Sequence, residues 1–394
     1  MKAAAGIATG TDWHEALDSA LNEAMSGLQG AAVDLALLFA SSDYALGYPE
    51  LVATAQNRLG AGLLIGCSGQ GVIGNDREVE GEPALSVLAF SLPGAYLSVF
   101  QVRQSDIQDD AATHAWLANL SETAPDVHAW IILADPFSFD SDALLTALSQ
   151  AYPGMPLIGG LASGDFRLQK TDLFVGGEVV QEGAIVLALG GPYTVQTVVA
   201  QGAEPIGEPW TITGSNENLV ETLGMRPALE IMIETLQSLP PDVQVRAQRN
   251  LLVGLAMNEY KDEFHRGDYL VRNILGVNQE EGWIAVGARP VTGQTLQFHM
   301  RDPKAADTDL LEMLTRARGE EAPGSPIGAL LCACNGRGVG LFGTPDHDAR
   351  MIRDVLDAIP LAGFFCNGEI GPVGGKPFLH GYTASIAVIR PLDA

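Results

Sequence analysis

Near the C-terminal end of the chain, Gly363-Phe364-Phe365-Cys366-Asn367-Gly368-Glu369-Ile370-Gly371-Pro372 sets a thiol, an amide and a carboxylate close together, and Phe378-Leu379-His380-Gly381 adds an imidazole. A second run of this kind, Cys332-Ala333-Cys334-Asn335-Gly336-Arg337-Gly338, lies upstream. Both follow apolar segments that read as buried strands, and polar groups on turns at strand ends are a common way to build a pocket. The two turns are expected to form one wall of a ligand site. Arg337, between two glycines, could hold a carboxylate through two parallel hydrogen bonds. Glu369 beside Asn367 could take an amine, or simply order its own turn.

Other candidates carry less chemistry. Gly66-Cys67-Ser68-Gly69 nearly matches the GxSxG nucleophile elbow, but Gln70 stands where the last glycine belongs. Cys67 and Ser68 are expected to line a cavity, as is Ser163 in Gly159-Gly160-Leu161-Ala162-Ser163-Gly164. Gly69-Gln70-Gly71-Val72-Ile73-Gly74 matches GxGxxG, yet Asn75-Asp76-Arg77-Glu78 follows, where a dinucleotide site needs the start of a helix. Cys332 and Cys334, two apart on a strand, share a face. No further paired Cys or His motif completes a metal site with them, so they read as structural thiols. His347 lies in Thr344-Pro345-Asp346-His347-Asp348, which has the form of a capped helix start.

The elements that must position these groups read as α/β. Helical spacing runs from Asp12 to about Leu28, with Thr11 or Asp12 as cap, and again over Tyr48–Leu59. Buried strands are expected at Val33–Phe39 and Gly62–Cys67. Ala84–Ser91 and Tyr96–Arg103 read as strands joined through Pro93-Gly94, and Gly183–Leu189 with Tyr193–Ala200 as a hairpin. Between them, helices are expected at Ile107–Leu120 and Ser141–Gln150, and strands at His128–Ala134 and Pro156–Gly160. The Gly-, Pro- and Glu-rich stretch from Gly202 to Gly214 reads as a connection between halves, in which several residues could still pair as strand. Beyond it come a helix at Pro227–Gln237 and four strands expected to be consecutive antiparallel neighbours: Asn250–Met257, Tyr269–Leu275, Gly282–Ala288 and Thr295–Arg301. A helix at Pro303–Arg318, a strand at Ile327–Cys334, a helix at His347–Ile359, and strands at Ala362–Cys366 and Tyr382–Ile389 complete the reading.

Bulk composition narrows the function classes. The chain has 394 residues, more than one typical core holds, so two domains are expected. Its formal charge of -26, from 22 Lys and Arg against 48 Asp and Glu, repels phosphate backbones and anionic lipids. Nucleic-acid binding is therefore not expected. No uncharged apolar run reaches the ~18 residues of a membrane span, and no secretory leader opens the chain. With four cysteines and no CxxC, no disulfide scaffold is expected, and the compartment reads as cytoplasmic.

Several of these motifs also resemble a known family. Asp268-Tyr269-Leu270-Val271-Arg272-Asn273-Ile274-Leu275-Gly276-Val277, Cys334 to Gly338, Gly363 to Pro372 and Leu379-His380-Gly381-Tyr382-Thr383-Ala384 resemble the C-terminal FIST domain. Gly66-Cys67-Ser68 and Leu157 to Ser163 resemble the N-terminal FIST domain. The chain looks like a stand-alone bacterial FIST protein, with an N-terminal helix over 1–32, a FIST N-terminal domain over 33–205 and a FIST C-terminal domain over 206–394. The expected fold is α/β, two related halves of mixed sheets flanked by helices.

The resemblance implies a cytoplasmic sensory protein rather than an enzyme. Its small ligand would be an amino acid or other small carboxylate, and its output would pass to a signalling protein such as a histidine kinase. The expected ligand site comprises Cys67, Ser68, Gly159, Gly160, Ser163, Asn335, Arg337, Cys366, Asn367, Glu369 and His380. A first alternative, also implied by the resemblance, is a haem-binding nitric-oxide sensor, with His380 or His347 as axial ligand. A second is an enzyme with Cys67 or Cys366 as nucleophile, although the sequence places no base beside either.

Overall fold

The first long apolar run, Leu35–Ser41, is buried along its whole length, as a strand covered on both faces must be. Its side chains divide by alternation. Leu35, Leu37 and Phe39 enter one core, while Ala36, Leu38 and Ala40 pack with the helices that flank the strand in sequence. The computed structural model describes residues 1–165, 168–261, 263–320 and 324–392. They form two compact units: Met1–Val199 with Leu314–Ala394, and Ala200–Met313.

Unit 1 repeats one arrangement three times. The first repeat runs β1 (Lys2–Thr9), α1 (Trp13–Leu28), β2 (Leu35–Ser41), α2 (Tyr48–Leu59), β3 (Leu63–Gly69), the short hairpin β4 (Gly71–Gly74) and β5 (Arg77–Glu80), then β6 (Ala84–Ser91). The second runs β7 (Tyr96–Val102), α3 (Asp110–Thr123), β8 (Val127–Ala134), α4 (Ser141–Ala151), β9 (Leu157–Leu161), β10 (Leu173–Val175), β11 (Glu178–Val180) and β12 (Ala184–Gly190). The third opens with β13 (Tyr193–Ala200).

The chain then passes through β14 (Glu204–Asn216), β15 (Leu219–Leu223), β16 (Arg226–Pro227), α5 (Ala228–Ser238), α6 (Pro241–Ala247), β17 (Leu251–Ala256), β18 (Tyr269–Val277), β19 (Ile284–Val286) and β20 (Thr295–Met300). It completes the third repeat with α7 (Pro303–Gly319), β21 (Gly328–Cys334), α8 (Gly338–Phe342), α9 (His347–Val355), β22 (Leu361–Cys366), β23 (Glu369–Val373), β24 (Lys376–His380) and β25 (Ala384–Pro391).

Each repeat builds one six-stranded mixed sheet, and each lends its hairpin to another. The orders are β1-β6-β2-β3-β10-β11, β7-β12-β8-β9-β23-β24 and β13-β25-β21-β22-β4-β5. In every sheet the second and third strands of the repeat that builds it form a parallel pair: β2 with β3, β8 with β9, β21 with β22. Inward faces of all three sheets meet in a single core. Phe39 of the first sheet stacks on Phe364 of the third at 4.9 Å between ring centroids, a pairing worth about 0.5–1.5 kcal/mol beyond its burial.

A glycine recurs at one register of each parallel pair. Gly66 lies opposite Leu38, Gly159 opposite Ile132 and Gly363 opposite Leu331. A Cβ there would stand 1.7, 1.9 and 1.9 Å from the carbonyl oxygen of the facing residue. No side chain fits, so the three strands approach their partners in the same way for the same reason.

The mixed sheets flanked by helices are those expected from the sequence, and α2 and the parallel strands lie where apolar spacing puts them. Several local expectations are corrected. The segment 1–32 begins with strand β1 ahead of its helix; its Ala- and Gly-rich sequence lacks a strand signal, yet it pairs with β6. Asp12 is the N-cap of α1. The strands flanking Pro93-Gly94 and those flanking Gly190-Gly191-Pro192 do not form hairpins, because each turn passes from one sheet to another. Gly69–Gly74 leads into a β-hairpin, with Gly71–Gly74 as its first strand. The long-range partners of these strands outweigh their neighbours in sequence. The third sheet draws strands from both sides of residue 205, since β4 and β5 pair alongside β21 and β22.

Unit 2 carries a seven-stranded sheet, β14-β20-β17-β18-β19-β15-β16. The stretch read as a connection, Gly202 to Gly214, is largely strand β14, which pairs with β20 across register shifts. Of the four strands expected to be consecutive neighbours, β17, β18 and β19 are, but β20 pairs with β17 instead. Among the described residues no helix is long and apolar enough to cross a membrane.

Candidate functional site

The parallel pair of the third repeat ends in two cysteines at one register, Cys334 on β21 opposite Cys366 on β22. Three residues on, Glu369 opens β23, which leaves the third sheet and pairs with β9 of the second. This crossing brings Glu369 back against Cys366, with Oε1 3.2 Å from Sγ. The other oxygen, Oε2, accepts the Thr383 N–H at 2.9 Å, and the Cys334 thiol helps to pull the carboxyl's pKa down. Glu369 and Cys366 are wholly buried, whereas Cys334 is partly exposed. The buried carboxyl thus lies one side chain from the surface.

Burial pushes the Glu369 carboxyl up to about 8, against the hydrogen bonds from Thr383 and Cys366 and the charge of Arg337, which pull it down. It is mostly protonated at neutral pH. Burial and the neighbouring carboxylate push the Cys366 thiol up as well. The thiol lies 3.2 Å from both the Ala333 carbonyl oxygen and Glu369 Oε1. Its single proton can serve only one of them; when it goes to the Ala333 carbonyl, a protonated Glu369 donates to the sulfur. A thiol held neutral is a poor nucleophile, so this environment opposes catalysis by Cys366. The Cys67 thiol is also pushed up, by burial in the central core and by Cys332.

Around this group, Asn335 and Asn367 face each other across the strand ends, Nδ2 to Oδ1 at 2.8 Å. The Asn335 N–H donates to the Cys366 carbonyl and the Asn367 N–H to the Leu161 carbonyl. Asn335 Oδ1 is buried without a protein partner. Tyr382 stands close to Gly336 and holds a φ of 68°. For a bulky residue that left-handed conformation is strained, and such strain gathers at functional sites.

The other expected site residues are placed differently. Arg337 is buried, with Nε 2.6 Å from Asp348 Oδ2 and Nη2 2.9 Å from Asp348 Oδ1. The bidentate carboxylate partner foreseen for this side chain therefore comes from α9 of the same chain. Burial acts to raise Asp348, but Arg337 and the His347 bond overcome it and hold the carboxyl at about 2. Glu78 beside them is pushed up to about 8 by burial and by the Asp348 charge, so it takes the proton that the cluster cannot lose. Its Oε1 accepts the Ala349 N–H. His347 stacks on Phe342 at 3.5 Å and bonds Asp348 through Nδ1 at 2.9 Å. Asp346 is the N-cap of α9.

His380 lies opposite Glu369 in the β23–β24 pairing, and its Nε2 is 3.0 Å from the Gly371 carbonyl oxygen. Ser163 is a junction of the three repeats. Its Oγ donates to the Phe365 carbonyl at 2.5 Å and accepts the Gln70 N–H at 2.7 Å. Ser68 Oγ donates to the Ser163 carbonyl and accepts the Asp172 N–H. Gly159 and Gly160 admit neighbours at close range: a Cβ on Gly160 would meet Cys332 and Cys366.

Asn335, Cys366, Asn367 and Glu369 thus gather at one point. Ser68, Ser163, Gly159 and Cys67 hold the fold beneath it. Sequence reasoning passed over Cys334, Tyr382 and Thr383 as site residues; the pairing of Cys334 with Cys366 was their signal. Among the described residues no group of His, Cys, Asp and Glu is placed to hold a metal ion. A separate cleft of about 560 Å³, lined by residues such as Thr9, Asp12, Glu15 and Arg77, contains none of these groups.

Comparison with known proteins identifies the family. The FIST N domain model matches residues 34–226 and the FIST C domain model residues 228–372. The chain belongs to the FIST family. FIST domains are generally small-ligand sensory domains of signalling proteins. An uncharacterised protein of Mycobacterium tuberculosis is 38% identical to this FIST chain over 388 residues, covering 98% of the chain and 99% of the relative. An uncharacterised protein of Mycobacterium bovis is 35% identical over 98% of both. An F-box/LRR-repeat protein of Arabidopsis thaliana is 25% identical over 135 residues, 30% of this chain and 26% of that one. A cyanuric acid hydrolase structure aligns over 99% of both chains at 10% identity and a TM-score of 0.30, a likeness too weak to carry fold or activity across.

Proposed function

We propose that this FIST protein is a cytoplasmic sensor whose small ligand binds at Cys334, Asn335, Asn367 and Glu369, and whose state is read by a signalling partner such as a histidine kinase. The observation that carries the reading is the place of Glu369 in the threefold arrangement. Three equivalent strand pairings set Leu173 opposite Cys67, Val72 opposite Phe364, and Glu369 opposite Gly160. Two repeats fill the position with an apolar side chain. Burying a carboxyl instead is costly, and the fold does not require it, so the site has another use for it.

The groups present favour a ligand with N–H or O–H donors. Asn335 Oδ1 is an acceptor awaiting a donor, and Glu369 can receive a cationic amine by releasing its proton. An amino acid satisfies both through its amino group. Arg337 has no part in this reading, because Asp348 already takes its bidentate face. Ligand-driven signalling requires that the ligand prefer one conformation.

The haem alternative gains nothing from the candidate axial ligands. His380 is buried with Nε2 near a backbone carbonyl, and His347 is stacked on Phe342 and bonded to Asp348. These surroundings do not fit an axial haem ligand, and no step is assigned to haem. The reading is tested by a thermal-shift screen over the proteinogenic amino acids, small carboxylates, simple amines and haem. A ligand at 100 times its dissociation constant stabilises by about 2.7 kcal/mol. The account expects a shift from an amine-bearing compound that is lost in Asn335→Ala; shifts confined to compounds without a donor overturn it.

A further inference from the structure

The two cysteines at the site have a geometry of their own. Cys334 and Cys366 are direct partners in the β21–β22 pair, and each is the last residue of its strand. Neighbouring strands lie about 4.8 Å apart, inside the Cα separation of roughly 4.4–6.8 Å that a disulfide spans. Partners at one register project to the same face, and here Cys366 Sγ lies 3.2 Å from Glu369 Oε1 while the Cys334 thiol also acts on that carboxyl. The corresponding partners elsewhere are Ser41 with Gly69 and, one residue past the Ala134–Leu161 pair, Asp135 with Ala162. The fold therefore has no need of thiols at this register.

We propose that Cys334 and Cys366 are a thiol pair which a hydroperoxide oxidises to an intramolecular disulfide. Cys334 is the entry point, because it is the one cysteine of the four that is not buried. Its sulfur attacks the terminal peroxide oxygen. The S–O bond forms as the O–O bond breaks, the alcohol leaves with the thiol proton, and Cys334 becomes a sulfenic acid. Cys366, a poor nucleophile while it keeps its proton, attacks that sulfur as the proton passes to the Glu369 carboxyl 3.2 Å away. The S–S bond forms, the S–O bond breaks, and hydroxide leaves as water with the Cys366 proton, relayed by Glu369 at 3.2 Å. Two thiols lose two electrons in total and the peroxide gains them.

A covalent link across the strand ends would close the place where the ligand is proposed to bind. The inference rests on that site, but its test needs no ligand, so either idea can fail alone. The full-length protein is treated with hydrogen peroxide, and free thiols are counted by mass after denaturation and alkylation. The wild-type chain is expected to fall from its four free thiols to two. Cys332→Ser is expected to lose the same pair, and Cys334→Ser to lose none. Four thiols surviving in the wild type, or oxidation of Cys334 alone, would overturn the proposal. So would a pair lost in Cys334→Ser but kept in Cys332→Ser, which would assign the chemistry to Cys332. If Cys334→Ser does not fold, the wild-type and Cys332→Ser counts still decide.

Discussion

Glu369 lies opposite Gly160 where β23 crosses onto β9, and the two equivalent crossings carry Val72 and Leu173 in its place. The absence of a side chain at Gly160 leaves room for Cys332 and Cys366, and the Glu369 carboxyl bonds the Cys366 thiol. One corner of a threefold core has been made polar while its two counterparts stayed apolar. The consequences of that difference can be measured.

Stability should fall as pH rises. The folded-state pKa of Glu369, about 8, lies above the ordinary glutamate value of 4.5, so the native protein binds more protons across that window. Stability is then full below the lower value and is lost progressively up to about 8. Glu78 acts in the same direction. Urea unfolding at pH 5 and pH 8 should show a loss on the order of a few kcal/mol. Glu369→Gln should reduce the loss and Glu78→Gln should reduce it further. A stability that rises across this window would contradict the assignment.

Binding of a cationic amine should be linked to proton release. An ammonium beside Glu369 favours its ionised form. Below pH 8 the affinity should therefore rise with pH, by up to about tenfold per unit. Calorimetry of an amino-acid ligand in buffers of different ionisation enthalpy reads the proton directly. No release near pH 7 would place the amine elsewhere.

The Arg337–Asp348 pair should be structural. Removing one partner leaves the other charge buried and uncompensated, which costs about 3–5 kcal/mol. Asp348→Ala and Arg337→Ala should therefore destabilise by similar amounts in urea. A double substitution with apolar residues should recover much of the loss. An Arg337→Ala protein of normal stability that no longer bound a carboxylate would restore the ligand role first expected of this residue.

Gly66 and Gly363 should tolerate no side chain. A Cβ on either would stand 1.7 or 1.9 Å from a backbone carbonyl oxygen, so Gly66→Ala should yield little folded protein. Gly381→Ala is the control, since a Cβ there has open space. Equal yields of the two would mean that the close approach of the parallel strands is wrong.

What the sequence made legible follows from the range of the interactions involved. The parallel strands were readable as apolar runs, and α2 matched its spacing, because burial and helical period are local signals. The hairpins β4–β5, β10–β11 and β23–β24 were not, since each is short and pairs with a strand of another repeat. The Ala- and Gly-rich β1 and the Gly- and Pro-containing β14 gave weak strand signals for the same reason: their partners, not their composition, make them strands. At the site, the residue types of Cys366, Asn367 and Glu369 pointed to the right turn. That Arg337 is neutralised from within could not be read, because Asp348 looked like an ordinary first-turn acid of a helix. The difference between Glu369 and its counterparts Val72 and Leu173 becomes visible only once the three registers are aligned.

The most direct test of the account replaces Glu369 with what another repeat carries. Glu369→Leu should fold, with equal or greater stability at pH 8, because it mimics Leu173. Its thermal shift with whichever amino acid stabilises the wild type should vanish. A Glu369→Leu protein that kept the full ligand-induced shift would contradict the claim that this buried carboxyl belongs to the ligand site.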